Sequence, residues 1–246
     1  ELKKANYKHA KKIYFARFAV KLTLSPKNNK PIRNLLLEYN DTYQTIAFES
    51  EEVLFKEKGS KFFGYAFPIE NEDAVKPIIE NLKKQHPHAV HYCYAYQLGT
   101  APKISYRAND DGEPSNTAGA PIYGQIQSFG LTNVLVVVVR IFGGVKLGVG
   151  GLIAAYKTTA QMTLEICEII EKTIDVHFLI SFDYKNMNKV MRVIKERKLE
   201  ITSQEMEIDE ESGLPIGKIM TKTRKKNAET VFDIFDLMFE IDIKII

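Results

Sequence analysis

Residues Leu131 to Val139, LTNVLVVVV, restrict this chain more than any other stretch. They form a nearly unbroken apolar run rich in β-branched residues. A strand covered on both faces reads this way, because alternate side chains then all meet apolar surroundings. A strand is expected over Thr132–Ile141, ended by Arg140. Gly143-Gly144 then forces a turn. Lys146 lies in that loop, and Gly148-Val149-Gly150-Gly151 leads into an apolar helix expected to run from about Gly148 to Glu171. Upstream, Asn109-Asp110-Asp111-Gly112-Glu113-Pro114 reads as a tight polar turn. Ser115 or Thr117 is then placed to cap a helix over Ala118–Phe129. The density of glycine marks this region as the organising centre, since nine of the fourteen glycines lie between Tyr106 and Tyr156.

The flanking segments supply the rest of the plan. Thr42–Ala47, Glu52–Lys56 and Phe62–Phe67 read as strands, with a turn at Lys58-Gly59-Ser60-Lys61. A helix follows Asn71 to about Gln85, with Val75, Ile78, Ile79 and Leu82 inward. His91–Gln97 and Ile104–Arg107 are extended. After Thr173 the pattern changes. A strand over Ile174–Phe182, a helix through Met187 and Ile194, and a strand over Leu199–Ile208 come first. A turn at Glu210-Glu211-Ser212-Gly213, a strand over Leu214–Thr223, a helix over Ala228–Phe239 and a strand over Ile241–Ile246 complete it. This βαββαβ order is the ferredoxin-like pattern.

The stretch RANDDGEPSNTAGAPIYGQIQSFGLTNVLVVVVRIFGGVKLGVGGLIAAY resembles the signature of the IMPACT/YigZ family over about fifty residues. The wider resemblance runs from about Tyr43 to the C-terminus. Asn116 and Ala120 stand where the family usually has Gly and Lys, and Ile141 and Val145 where it has Tyr and Thr. The resemblance implies an α+β protein. Its N-terminal domain would be ribosomal-protein-like, of the βαβ type found also in an elongation factor, followed by a ferredoxin-like (βαββαβ) domain. The expected division is a basic extension over 1–42 outside the family match, the family's N-terminal domain over 43–172 and the ferredoxin-like domain over 173–246. Eukaryotic relatives are linked to translational control through contact with the activator of a kinase that phosphorylates an initiation factor, and they carry an additional N-terminal interaction domain of another fold. Residues 1–40 are too short to be that domain, so the bacterial-type arrangement is the better match.

Charge sharpens this expectation. Residues 1–40 carry ten lysines and arginines against two acids, a balance of +8, and the remainder carries 24 against 29. A nucleic-acid site on the folded part must therefore be a local patch. Arg107, Arg140, Lys146 and Lys61 are the candidate cations, with the N–H groups around Gly143, Gly144, Gly148, Gly150 and Gly151 as candidate phosphate ligands. The competing reading pairs Arg107 or Arg140 with Asp110 or Glu113 to lock the turn. Asp110, Asp111 and Glu113 are candidates either for acid–base work or for that structural role. The loop lacks the Lys-Ser/Thr ending of a Walker motif. Tyr92, Tyr94 and Tyr96 share one strand face and read as a base-stacking platform or as packing beneath a helix. Cys93 and Cys167 match no metal spacing, and His86, His88 and His91 lack further ligands.

No catalytic residue, metal or cofactor is assigned. The function expected is that of a cytosolic translation-associated regulator binding RNA or the ribosome. An enzyme acting on a small phosphorylated ligand or nucleotide at Gly143–Gly151 is one alternative. A protein-interaction module using the open sheet face of the second domain is the other. No membrane association is expected, since no apolar run reaches the length of a span.

Overall fold

The computed structural model describes residues 40–208 and 213–246. Residues 1–39 of the basic extension and the turn at residues 210–212 lie outside the described residues. The chain falls into two compact units, one over Thr42–Lys172 and the other including Thr173–Ile246.

In the first unit the strands are β1 (Thr42–Ile46), β2 (Val53–Glu57), β3 (Ser60–Pro68), β4 (His91–Leu98), β5 (Ser105–Asn109), β6 (Val134–Ile141) and β7 (Ile169–Thr173). The helices are α1 (Val75–Gln85), α2 (Gly119–Ser128) and α3 (Gly148–Glu165). A five-stranded sheet has the order β2-β3-β6-β4-β5, with every neighbouring pair antiparallel. β3 and β4 are thus parallel to each other, with β6 between them and α1 in the crossover.

The central position of β6 explains its composition. Val134, Val136 and Val138 pack into the core beneath α2 and α3. Leu135, Val137 and Val139 pack on the opposite face, with α1. All six are fully buried. The apolar run therefore reports coverage on both faces, and here the covered strand has antiparallel neighbours. Tyr92 and Tyr96 are buried on the α1 side and Tyr94 is partly buried there. The tyrosine stripe is packing beneath a helix, the second of its two readings.

Two close approaches set the geometry of this unit. A Cβ at Gly64 of β3 would sit 2.0 Å from Thr163 Oγ1 and 3.0 Å from Thr159 Cγ2, so the missing side chain lets α3 lie close on the sheet. The β2–β3 hairpin closes with Lys58 at φ +45° and Gly59 at φ +81°. Two successive positive φ values make a turn whose twist matches the strands.

α3 ends at Glu165, six residues before the expected end. The β-branched segment Ile169–Thr173 leaves the helix to pair with β1 in a separate two-stranded sheet. That partner lies over a hundred residues earlier, so helical periodicity could not reveal it.

The second unit contains β8 (Asp175–Asp183), α4 (Met187–Glu196), β9 (Glu200–Ile208), β10 (Pro215–Arg224), α5 (Lys225–Asp236) and β11 (Ile241–Ile245). Its antiparallel sheet has the order β11-β8-β10-β9. Phe178, Ile180, Phe182, Ile219, Ile241 and Ile243 face one core with residues of both helices. The mixed α and β composition expected for both parts of the chain holds. Among the described residues no helix is long and apolar enough to cross a membrane.

Candidate functional site

The acidic turn is organised by its own side chains. Asn109 Oδ1 accepts from the Asp111 N–H at 2.7 Å. Asp110 Oδ1 accepts from the N–H groups of Ala118 at 3.0 Å and Gly119 at 2.8 Å, and its Oδ2 accepts from Asn116 at 2.9 Å. Asp110, eight residues upstream, thus satisfies donors at the start of α2 that Ser115 and Thr117 were expected to satisfy. Thr117 Oγ1 instead donates to the Pro114 carbonyl at 2.7 Å. Asn116 has φ +62°. Its family counterpart is usually Gly, and asparagine is among the few other residues that adopt this conformation readily. Asp110→Ala should destabilise the first unit by about 1–2 kcal/mol, the usual range for a lost cap. Asp110→Asn should lose less, because one acceptor oxygen remains; urea midpoints of the two variants would show the order.

Asp111 ties the turn to β4. Its Oδ2 accepts from the Tyr92 N–H at 2.7 Å, and its carbonyl accepts from His91 Nδ1 at 2.7 Å.

Glu113 points inward. Its Oε1 accepts from Arg140 Nη1 at 2.6 Å and from the Tyr156 hydroxyl at 2.8 Å. The Arg140 and Glu113 side chains are 6% and 4% exposed. The Cys93 thiol donates to Tyr156 Oη at 3.3 Å. Burial pushes the Tyr156 hydroxyl and the Cys93 thiol well above their ordinary ranges, so both stay protonated near neutral pH. Arg140 Nη2 donates to Ser60 Oγ at 3.4 Å, and the same oxygen accepts from the Gly143 N–H at 3.2 Å. The Arg140 guanidinium also lies 5.5 Å from the ring centroids of Phe62 and Phe142.

This arrangement redistributes the candidate residues. Arg140 is a buried structural partner of Glu113 and is not presented to a phosphate. The turn-locking alternative accounts for it: a guanidinium at the end of a buried strand needs a carboxylate, and the turn supplies one. Arg107 is exposed but remote. It lies opposite Tyr96, which lies opposite Leu135, whereas Lys61 lies opposite Ile141. Six residues along β6 and three strand spacings put Arg107 roughly 25 Å from Lys61. It also shares a face with Tyr96, while Arg140 shares the opposite face with Phe62. The expected four-cation cluster is therefore not assembled.

A different cluster is. Lys56 and Lys61 face each other across the β2–β3 hairpin, and Lys58 lies in its turn. This tip abuts the glycine loop: a Cβ on Gly143 would stand 1.9 Å from the Gly59 carbonyl carbon and 2.2 Å from Ser60 N. Lys146 follows three residues later. Lys56, Lys58, Lys61 and Lys146 are all exposed, as are Gly143, Gly144, Gly148 and Gly150, whereas Gly151 is partly covered. No ion pair among the described residues neutralises these four lysines. Directly opposed like charges such as Lys56 and Lys61 disfavour the hairpin. Lys56 and Lys58 are not among the four cations expected from the sequence; the hairpin register brings them beside Lys61.

The acid–base reading of Asp110, Asp111 and Glu113 has little room. Asp110 and Asp111 hold backbone donors, and Glu113 is enclosed. A groove of about 730 Å³ lies elsewhere, lined by Ala47, Phe48, Phe67, Pro77 and Ile78 among others, and none of the three acids lines it. Among the described residues no group of three His, Cys, Asp or Glu side chains is arranged to hold a metal ion.

Comparison with known proteins addresses this same region. The Impact N-terminal domain profile matches residues 58–164, from the hairpin turn almost to the end of α3. IMPACT family member YvyE of Bacillus subtilis is 36% identical over 155 residues, which cover 63% of this chain and 70% of the relative. An IMPACT family member of Haemophilus influenzae is 32% identical over 170 residues, covering 69% and 80% respectively. A crystal structure described as that of a hypothetical protein aligns over 85% of this chain and 98% of its own, with a TM-score of 0.63 and 23% identity, a likeness of fold. The acidic turn, the buried β6, the Arg140–Glu113 lock and the glycine loop all fall within the matched profile, and with identity above 30% over most of each bacterial relative, the chain belongs to the IMPACT family.

Proposed function

We propose that this chain is a translation-associated regulatory protein that binds RNA or the ribosome through the lysine-lined tip formed by the β2–β3 hairpin and the Gly143–Lys146 loop. The translational part rests on the family resemblance. The binding part rests on one observation: Lys56, Lys58, Lys61 and Lys146, with Glu57 the one acid in the hairpin tip, gather beside exposed glycine backbone and form no ion pair among the described residues. A polyanion relieves their mutual repulsion, and its phosphates can approach the backbone N–H groups of a segment free of side chains. The same reading takes the first unit as the ribosomal-protein-like domain. It takes the second as the ferredoxin-like domain, supported by the order β11-β8-β10-β9 with a helix in each crossover.

The test is RNA binding by the full chain across a salt series, before and after combined Lys58→Ala, Lys61→Ala and Lys146→Ala substitution. Each lost phosphate contact should flatten the logarithmic salt slope by about 0.7 on a single strand. The basic N-terminal segment contributes equally to both proteins, so the difference isolates the tip. Identical slopes and affinities would refute the site.

Protein docking on the open face of the second unit is less well supported. That face carries opposed charges, with Lys218 paired to Glu207 and Lys222 lying 3.0 Å from Glu200 and 4.0 Å from Asp175. It does not present the continuous apolar surface that a stable interface centre requires.

A further inference from the structure

The lysine tip contains a feature that gripping phosphate does not require. Phe142 is 46% exposed, one residue after Ile141, which lies opposite Lys61, and one before the Gly143-Gly144 turn. Val145 and Val149, three and seven residues on, are 53% and 59% exposed. Leaving apolar area in water is unfavourable.

The Phe142 ring is held from one side. The Arg140 guanidinium lies 5.5 Å from its centroid, and Arg140 is itself fixed by the buried Glu113 carboxylate. No other aromatic ring among the described residues stacks on Phe142. A supported ring with exposed surface, in a loop that also carries exposed Lys146 and exposed glycine backbone, suits a flat aromatic ligand that also carries negative charge. An unpaired nucleobase on its sugar-phosphate chain has both properties.

We propose that the tip is a site for single-stranded RNA, in which Phe142 stacks an unpaired base while Lys146, four residues on in the same loop, contacts an adjoining phosphate. This inference rests on the RNA reading above and narrows it. Paired bases are already stacked within their helix, and the deep major groove of an RNA duplex withholds them from side chains. A duplex therefore offers the lysines their phosphates but offers Phe142 nothing.

The experiment compares a short oligouridine with an RNA duplex of equal length, using the full chain and its Phe142→Ala, Phe142→Leu and Phe142→Tyr variants. Phe142→Ala should weaken single-strand binding about ten- to a hundredfold, as expected for one lost stack, and leave the salt slope unchanged. Phe142→Leu should behave like alanine, and Phe142→Tyr should restore affinity. Duplex binding should be the same for all four proteins. Equal single-strand affinity for the wild type and Phe142→Ala would overturn the stacking site, even if lysine substitution still flattens the slope. If lysine substitution leaves binding unchanged as well, the RNA reading falls with it.

Discussion

Glu113→Ala is expected to be the most damaging single substitution in the first unit, lowering its stability by about 3–5 kcal/mol. Arg140 would keep its charge at a site where the residue is only 5% exposed, and would lose its 2.6 Å partner. The Tyr156 hydroxyl would lose its 2.8 Å acceptor in the same step. Cys93 is a poor replacement, because its thiol sulfur accepts only weakly. Glu113→Gln should fall between the two, since the amide oxygen still accepts but no longer balances the guanidinium. Urea unfolding of Glu113→Ala, Arg140→Met and the double variant completes the test. The double variant should be more stable than Glu113→Ala, because it removes the stranded charge. Strictly additive losses would show that the pair does not act as a unit.

Gly143→Ala should have the next largest effect. The added Cβ would stand 1.9 Å from Gly59 C and 2.2 Å from both Gly59 O and Ser60 N. All three are backbone atoms, so no side-chain rotation relieves the contact. Separating the loop from the hairpin should cost about 1–3 kcal/mol, the range of an overpacked site. It should also spread the lysines apart and weaken RNA binding, joining a stability effect to a functional one. Gly150→Ala is the matched control: a Cβ there meets nothing within 4 Å. Within α3 that change should be neutral or stabilising by about 0.5–1 kcal/mol. Thermal melting of the two variants decides it. Intact stability in Gly143→Ala would contradict the close hairpin–loop contact.

Much of the architecture is legible from local pattern. β6 announces itself because its alternate residues are apolar on both sides, and it is buried on both faces. Lys58-Gly59 announces a turn because glycine accepts the positive φ that such a hairpin requires. The strand–helix alternation after Thr173 is likewise local, each amphipathic face repeating at its own period. The turn at Asn109–Pro114 is readable because Asn and Asp bond their own backbone, as Asn109 does to Asp111.

The partners of the charged residues are another matter. Asp110 caps a helix eight residues away, Glu113 meets Arg140 across 27 residues, and Ser60 reaches Arg140 across 80. β7 pairs with a strand at the other end of its unit. Arg107 and Arg140 look alike in the sequence, yet one is exposed at an edge strand and the other is locked in the core. Periodicity, turn chemistry and glycine placement act over a few residues, so the chain by itself determined where most of its strands, turns and helices form, β7 excepted, and which family it resembles. Strand register and the approach of Gly143 to Gly59 act across the sheet. Only the tertiary structure decided which cations are buried and which lysines meet at the tip, because the pairing of buried charges depends on distances that sequence separation does not contain.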